Sequence, residues 1–405
     1  MATNMHRTIS QVTKQSLIRS FNTTSSRLSQ NYYLAKAHNS NDLLRLGFTK
    51  SKQLVGALSS RGTREKNEDE WSAVTLELPA GKNLRTMDRT SNRAYFGIFD
   101  GHGGPAVSEW LANSLHERIE TVSLDDLPEL LKRLRAFGGY FKRFKIPGIF
   151  KNLVDQEGRR LSGVTDTDMS VEQRIMLGFL MSDVYCIDSL LKTDGKQQEH
   201  EGSTGSIAIV EPHDDRAFWE SQRYDIIVGH VGDTRILVCE SCSGEAVALT
   251  TGDHHPGNPL EQERLRKLAG YVTTDSWGDD RILGLLATSR AFGDSKLKRY
   301  GVSSEPDIVR HTIDSKNPAA FMVLVTDGVT SVMSDQEVVD IVKQYKDPTT
   351  SAKHIVDICD QFGSEDNITA VVVRLKDWGA RMNDLTLDLR KYRLANSPMS
   401  SRQSW

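Results

Sequence analysis

The sequence predicts an α+β fold built in layers, with helices covering sheets, and three features point to it. Strand-sized apolar runs and stretches of helical periodicity both occur through the middle of the chain. They do not alternate strictly, as a parallel sheet would require. No Pro/Gly/Ser-rich linker divides them, so residues 50–378 read as one domain.

Strands are expected at 95–99, 206–210, 224–231, 235–239, 321–325 and 369–375, runs rich in Ile, Val, Phe and Tyr and bounded by Gly and Asp. The short turn Gly232-Asp233-Thr234 predicts that 224–231 and 235–239 pair as an antiparallel hairpin. Helices are expected at 105–119, 127–137, 171–192, 258–269, 335–345 and 351–362. Pro105 suits the start of the first, and Ser334 is a good N-cap for the fifth. There is no internal repeat. The polar, serine-rich 379–405 tail reads as disordered.

Among the 405 residues, 38% are hydrophobic and 26% charged, and the net charge is −3. These are ordinary values for a soluble protein and give no sign of a nucleic-acid partner. No apolar run approaches the roughly 18 residues of a membrane-spanning helix, so no transmembrane segment is expected. The four cysteines are too few and too scattered for a disulfide framework, and Cys239-x-x-Cys242 reads as a hairpin turn. Residues 1–41 differ from the rest: Arg7, Lys14, Arg19, Arg27 and Lys36 occur among serines and threonines, and the first acidic residue is Asp42. That composition predicts a mitochondrial presequence and a matrix location.

Aspartates recur at the ends of strand-like runs: Asp69 after Asn67-Glu68, Asp100 after the 96–99 run, Asp327 after 323–326, and Asp366 before Asn367. One such residue is usually a turn or cap. Several brought together would raise one another's pKa, and the arrangement becomes favourable with a cation among them. All-oxygen ligands select Mg²⁺ or Mn²⁺. In Asp100-Gly101-His102-Gly103-Gly104-Pro105, Gly101 is expected to let its carbonyl approach a metal, and His102 is a candidate general acid because imidazole titrates near neutrality.

The series Arg64-Glu65-Lys66-Asn67-Glu68-Asp69, DGHGG at 100–104, GSTG at 202–205, GDTR at 232–235, LTTGDHHP at 249–256, SRAFGD at 289–294, TDG at 326–328 and DN at 366–367 resembles the type 2C, metal-dependent protein phosphatases. The resemblance implies a four-layer α/β/β/α sandwich with two central antiparallel sheets and a two-metal cleft at one end. By it, Asp100 bridges two metals, the Gly101 carbonyl joins one shell, and Asp327 and Asp366 hold the other ion. Asp69 and Glu68 act mainly by orienting metal-bound water, with Asp69 also a candidate direct ligand, and Asn367 supports the ligands from behind. Arg64 grips the phosphate, His102 protonates the leaving group, and a hydroxide shared by the metals attacks. The resemblance further implies that the substrate is phosphoserine or phosphothreonine in a protein. Mitochondrial members of the family suggest the pyruvate dehydrogenase complex.

Two departures from the family pattern stand out. Asp233 resembles a third-metal ligand, yet Asp327-Gly328 is followed by Val329-Thr330-Ser331, without the family's acidic residue. This leaves a third ion in question and keeps a catalytically weak scaffold as the alternative function. The second departure is an insertion at about 120–200, whose 137–145 stretch mixes aromatics with cations. An insertion packed on the body is the favoured reading, over peripheral membrane contact. The 254–286 segment resembles the family's flap beside the cleft.

Overall fold

The computed structural model describes residues 32–396 apart from 37–42, 79–90, 194–195, 215, 267–271, 276–277 and 279. Two five-stranded antiparallel sheets lie at its centre. One runs in the order Asp307–Ile313, Tyr224–Val231, Gly205–Pro212, Ser91–Phe99, Glu70–Leu78, and the other Ala246–Ala248, Arg235–Glu240, Ala319–Val325, Ile368–Arg374, Val55–Ser60. Each central strand is buried on both faces, which explains its continuous apolar composition. In the 224–231 strand, Ile226 and Val228 face the inter-sheet core with Phe96, Ile236, Leu324 and Val371, whereas Ile227 meets the outer helices. Helices Ala106–Thr121 and Val171–Tyr185 cover the first sheet, and Asp335–Val342 and Pro348–Gln361 the second, completing the expected four layers. Ser334 caps the 335–342 helix, with Glu337 closing a capping box.

The expected 224–239 hairpin does not form. Tyr224–Val231 pairs within the first sheet and Arg235–Glu240 within the second, so Gly232-Asp233-Thr234 carries the chain from one sheet to the other. Burial of both strands on both faces favours partners in two sheets, and Gly232, at φ 103°, accommodates the crossing. The expected 171–192 helix is α-helical only to Tyr185 and ends in a π turn, Cys186–Leu190.

The domain also begins before residue 50. Tyr33–Lys36, inside the expected presequence, pairs with Leu43–Leu46, and buried Tyr33 packs edge-on against Phe218. The presequence reading for residues 1–31 lies outside the described residues. At the other end, the tail expected to be disordered forms a helix, Leu387–Asn396. Polar contacts dock it: Asp340 accepts from the Leu385 and Thr386 amides at 2.9 and 2.8 Å, and Arg393 donates to Glu337 at 2.7 Å. A search for apolar periodicity misses a helix held by charge. Residues 397–405 lie outside the described residues.

The insertion packs on the body. Phe141 is buried, Phe137, Tyr140 and Phe144 surround it, and the Tyr140 amide donates to the Arg299 carbonyl at 2.9 Å. Among the described residues, no helix is long and apolar enough to cross a membrane.

Candidate metal centre

Five strand ends meet at one edge of the sandwich. Asp69 precedes the 70–78 strand, Asp100 follows 91–99, Asp233 sits in the sheet-to-sheet crossing, Asp327 follows 319–325, and Asp366 precedes 368–374. A cleft of about 540 Å³ opens there, lined by Arg64, Glu68, Asp100, Gly101, His102, Asp233, Asp327, Asp366 and Asn367. Carboxylate oxygens of Asp100, Asp233 and Asp327 lie within 4.8 Å of one another.

Gathering these charges has an electrostatic cost. Burial, then the charges of Asp327, Asp69 and Asp233, hold the Asp100 carboxyl well above the usual carboxylate range. Burial and the neighbouring Asp233 and Asp366 push Asp327 up to about 7. Asp69 stands behind the cleft wall and is nearly fully buried. Thr326 and Thr369 donate to its Oδ2 at 2.9 and 2.7 Å, yet burial still raises its pKa to about 7. Its Oδ1 has no hydrogen-bond partner. Clustered carboxylates with elevated pKa values and an unpartnered buried oxygen fit a hard divalent cation, which satisfies all three features at once.

The surrounding loops hold this geometry. Asn367 staples the 61–68 loop: its side-chain amide donates to the Arg61 and Lys66 carbonyls, both at 2.9 Å, and its Oδ1 accepts from the Glu68 amide at 2.8 Å. Arg64 therefore reaches the cleft, where its Nη2 donates to Asp366 Oδ2 at 2.8 Å. Gly101 has a reason beyond the one expected from sequence. A Cβ there would lie 2.3 Å from the Glu68 carbonyl oxygen, so glycine permits the backbone contact that joins the two loops.

Sequence reasoning missed three partners. His102 Nε2 lies 2.8 Å from Asp294 Oδ2; although burial disfavours the imidazolium, the Asp294 charge raises the histidine's pKa overall. His255 Nε2 stands 3.1 Å from Asp233 Oδ2, and that hydrogen bond raises its pKa. Glu201 Oε1 accepts from the Ala106 amide at 2.6 Å, at the start of the helix that follows the glycine-rich turn. Asp294 and His255 end or sit within glycine-bounded motifs already singled out, which was the available signal. Ser331, where the resemblance leads one to expect an acidic residue, donates to the Gly328 carbonyl at 3.3 Å.

Comparison with known proteins bears on the family of the chain. A family model described as protein phosphatase 2C matches residues 59–368. Protein phosphatase 2C homolog 4 of Schizosaccharomyces pombe is 33% identical over 361 residues, covering 88% of this chain and 90% of that one. A mitochondrial protein phosphatase 1K of Xenopus laevis is 28% identical over 331 residues, 80% of this chain and 69% of that one. The crystal structure of a serine-threonine phosphatase 2C from Toxoplasma gondii shares the fold, with a TM-score of 0.55 at 22% identity over 80% of this chain and 94% of that one.

Proposed function

Because the chain belongs to the protein phosphatase 2C family, we propose that its cleft hydrolyses phosphoserine and phosphothreonine in proteins, with two divalent ions held by Asp100, Asp327, Asp366, Asp69 and the Gly101 carbonyl. The observation that carries this reading is the convergence of Asp100, Asp233 and Asp327 within 4.8 Å in a cleft also lined by Arg64 and His102. Mg²⁺ or Mn²⁺, when bound, supplies charge neutralisation and activation of the attacking water. The chain's own residues do the rest. Arg64 offers a planar fork to two phosphate oxygens. His102, held by Asp294, hands a proton to the leaving serine or threonine oxygen. Asp233, paired with His255, is the candidate ligand for a third ion, which the lack of an acidic residue at Ser331 leaves in question.

The basic composition of residues 1–31 and the similarity to a relative described as mitochondrial support a matrix location, with subunits of the pyruvate dehydrogenase complex as the first substrates to try. The test is phosphate release from a phosphothreonine peptide by the full chain, with and without Mn²⁺, beside an Asp100→Ala control. Metal-dependent release that the control loses is expected; release that persists in the control would refute the assignment.

A further inference from the structure

His102 is aimed by a three-stranded ribbon at the cleft edge. Gly101–His102 pairs with Gly202–Ser203, which pairs in turn with Phe292–Gly293, so Gly202 lies between His102 and Gly293. A Cβ on Gly202 would stand 2.3 Å from Asp294 Oδ2 and 2.6 Å from His102 Nε2. The missing side chain is therefore the opening through which Asp294 reaches the histidine. To make that reach, Asp294 adopts a left-handed backbone (φ 45°, ψ 47°), directly after Gly293 at φ 75°. Gly293 adopts its conformation freely, but Asp294, a non-glycine residue in this region, needs outside support.

The support comes from a fully buried ion pair. Asp183, on the last turns of the 171–185 helix, meets Lys298 at 2.8 Å, and both side chains are within 1% of complete burial. Asp183 Oδ1 also accepts from the Gly293 amide at 2.8 Å, and Lys298 Nζ donates to the Ala291 carbonyl at 2.7 Å. One turn earlier on the same helix, Phe179 packs against Phe292 with ring centroids 5.1 Å apart. The pair thus grips the backbone on both sides of Phe292, at Ala291 and at Gly293, the residue before Asp294. A buried pair of charges is a poor route to stability alone, and its hydrogen bonds here go to one short segment.

We infer that Asp183 and Lys298 are positioning residues for catalysis: they fix the Gly293-Asp294 turn, and through Asp294 they set the orientation in which His102 delivers its proton. The inference rests on reading His102 as the general acid, and the experiment separates the two.

The double variant Asp183→Asn/Lys298→Met removes both charges and leaves neither buried alone. It is assayed as the full chain with Mn²⁺ on a phosphothreonine peptide, whose alkoxide must be protonated, and on 2,4-dinitrophenyl phosphate, whose phenolate leaves without a proton. His102→Gln, run beside it, sets the size of the split between the substrates. The expected result is a kcat on the peptide lowered about tenfold or more, with activity on dinitrophenyl phosphate within about twofold of the parent. Equal slowing on both substrates, or no slowing in a folded variant, would overturn the inference while leaving the general-acid reading intact. The absence of any split for His102→Gln would remove that reading and this inference with it. If the double variant does not fold, amide exchange in the unmodified enzyme decides: Gly293 should exchange only with global unfolding, and faster local opening would overturn the clamp.

Discussion

Arg64 Nη2 donates to Asp366 Oδ2 at 2.8 Å, so the group assigned to the phosphate is held beside a group assigned to a metal. The arginine is well exposed, and its removal should cost recognition far more than folding. Arg64→Ala is expected to lower kcat/KM for a phosphopeptide by about 10- to 100-fold, the equivalent of one lost charge-assisted interaction. Steady-state kinetics with inorganic phosphate as competitor checks this, since phosphate inhibition should weaken in parallel. An unchanged phosphate inhibition constant would remove Arg64 from the role.

Asp327→Asn removes one charge from a mutually repelling cluster. Turnover should fall by about 100-fold or more, because a ligand is lost. The metal-free variant should melt at the parent temperature or above it, because repulsion is relieved. Thermal melts with and without Mn²⁺ check both parts; a large drop in the metal-free midpoint would mean that Asp327 is a structural residue instead.

The cluster also sets a pH dependence. Asp69 and Asp327 are raised to about 7 and Asp100 is raised too, so between pH of about 4 and 7 the metal-free folded state holds more protons than the unfolded chain. The cluster's contribution to stability therefore falls as pH rises through that window. Divalent ions compete with those protons. Mn²⁺ binding should release protons at pH 6, release fewer at pH 8, and raise the melting temperature more at pH 8 than at pH 6. Calorimetry in buffers of different ionisation enthalpy measures the release directly, and a pH-independent value would contradict these elevated pKa values.

Asn367 is buried, and its three hydrogen bonds reach Arg61, Lys66 and Glu68. Asn367→Ala should cost about 2–3 kcal/mol through the backbone groups left unpaired. Because the same loop carries Arg64, KM for the phosphopeptide should rise as well. Urea melts and kinetics on one preparation test the two together; lost stability with unchanged KM would separate the staple from Arg64.

Much of this protein was legible from residues near one another in the chain. Apolar runs bounded by Gly and Asp placed the central strands, Ser334 announced a helix, and the motif order from Arg64 to Asn367 placed the residues that line the cleft. The strands and the cap depend on backbone preferences and side-chain periodicity, which act over a few residues, whereas the motif order located the cleft through its resemblance to a known family. Where the sequence reading went wrong, the deciding contact lay far away. A three-residue turn looked like a hairpin until burial gave its two strands partners in different sheets. The tail looked disordered because its helix is held by Asp340 and Glu337 instead of an apolar face. Asp294 was marked only by ending the 289–294 motif and Asp183 by nothing, since each acts on a group reached only by folding: His102 lies across Gly202, and Gly293 lies beside a helix from the insertion region. Local sequence determined which carboxylates stand at strand ends. Tertiary structure alone decided that Asp100, Asp233 and Asp327 share one space, because only the closing of the two sheets brings their turns within a few ångströms.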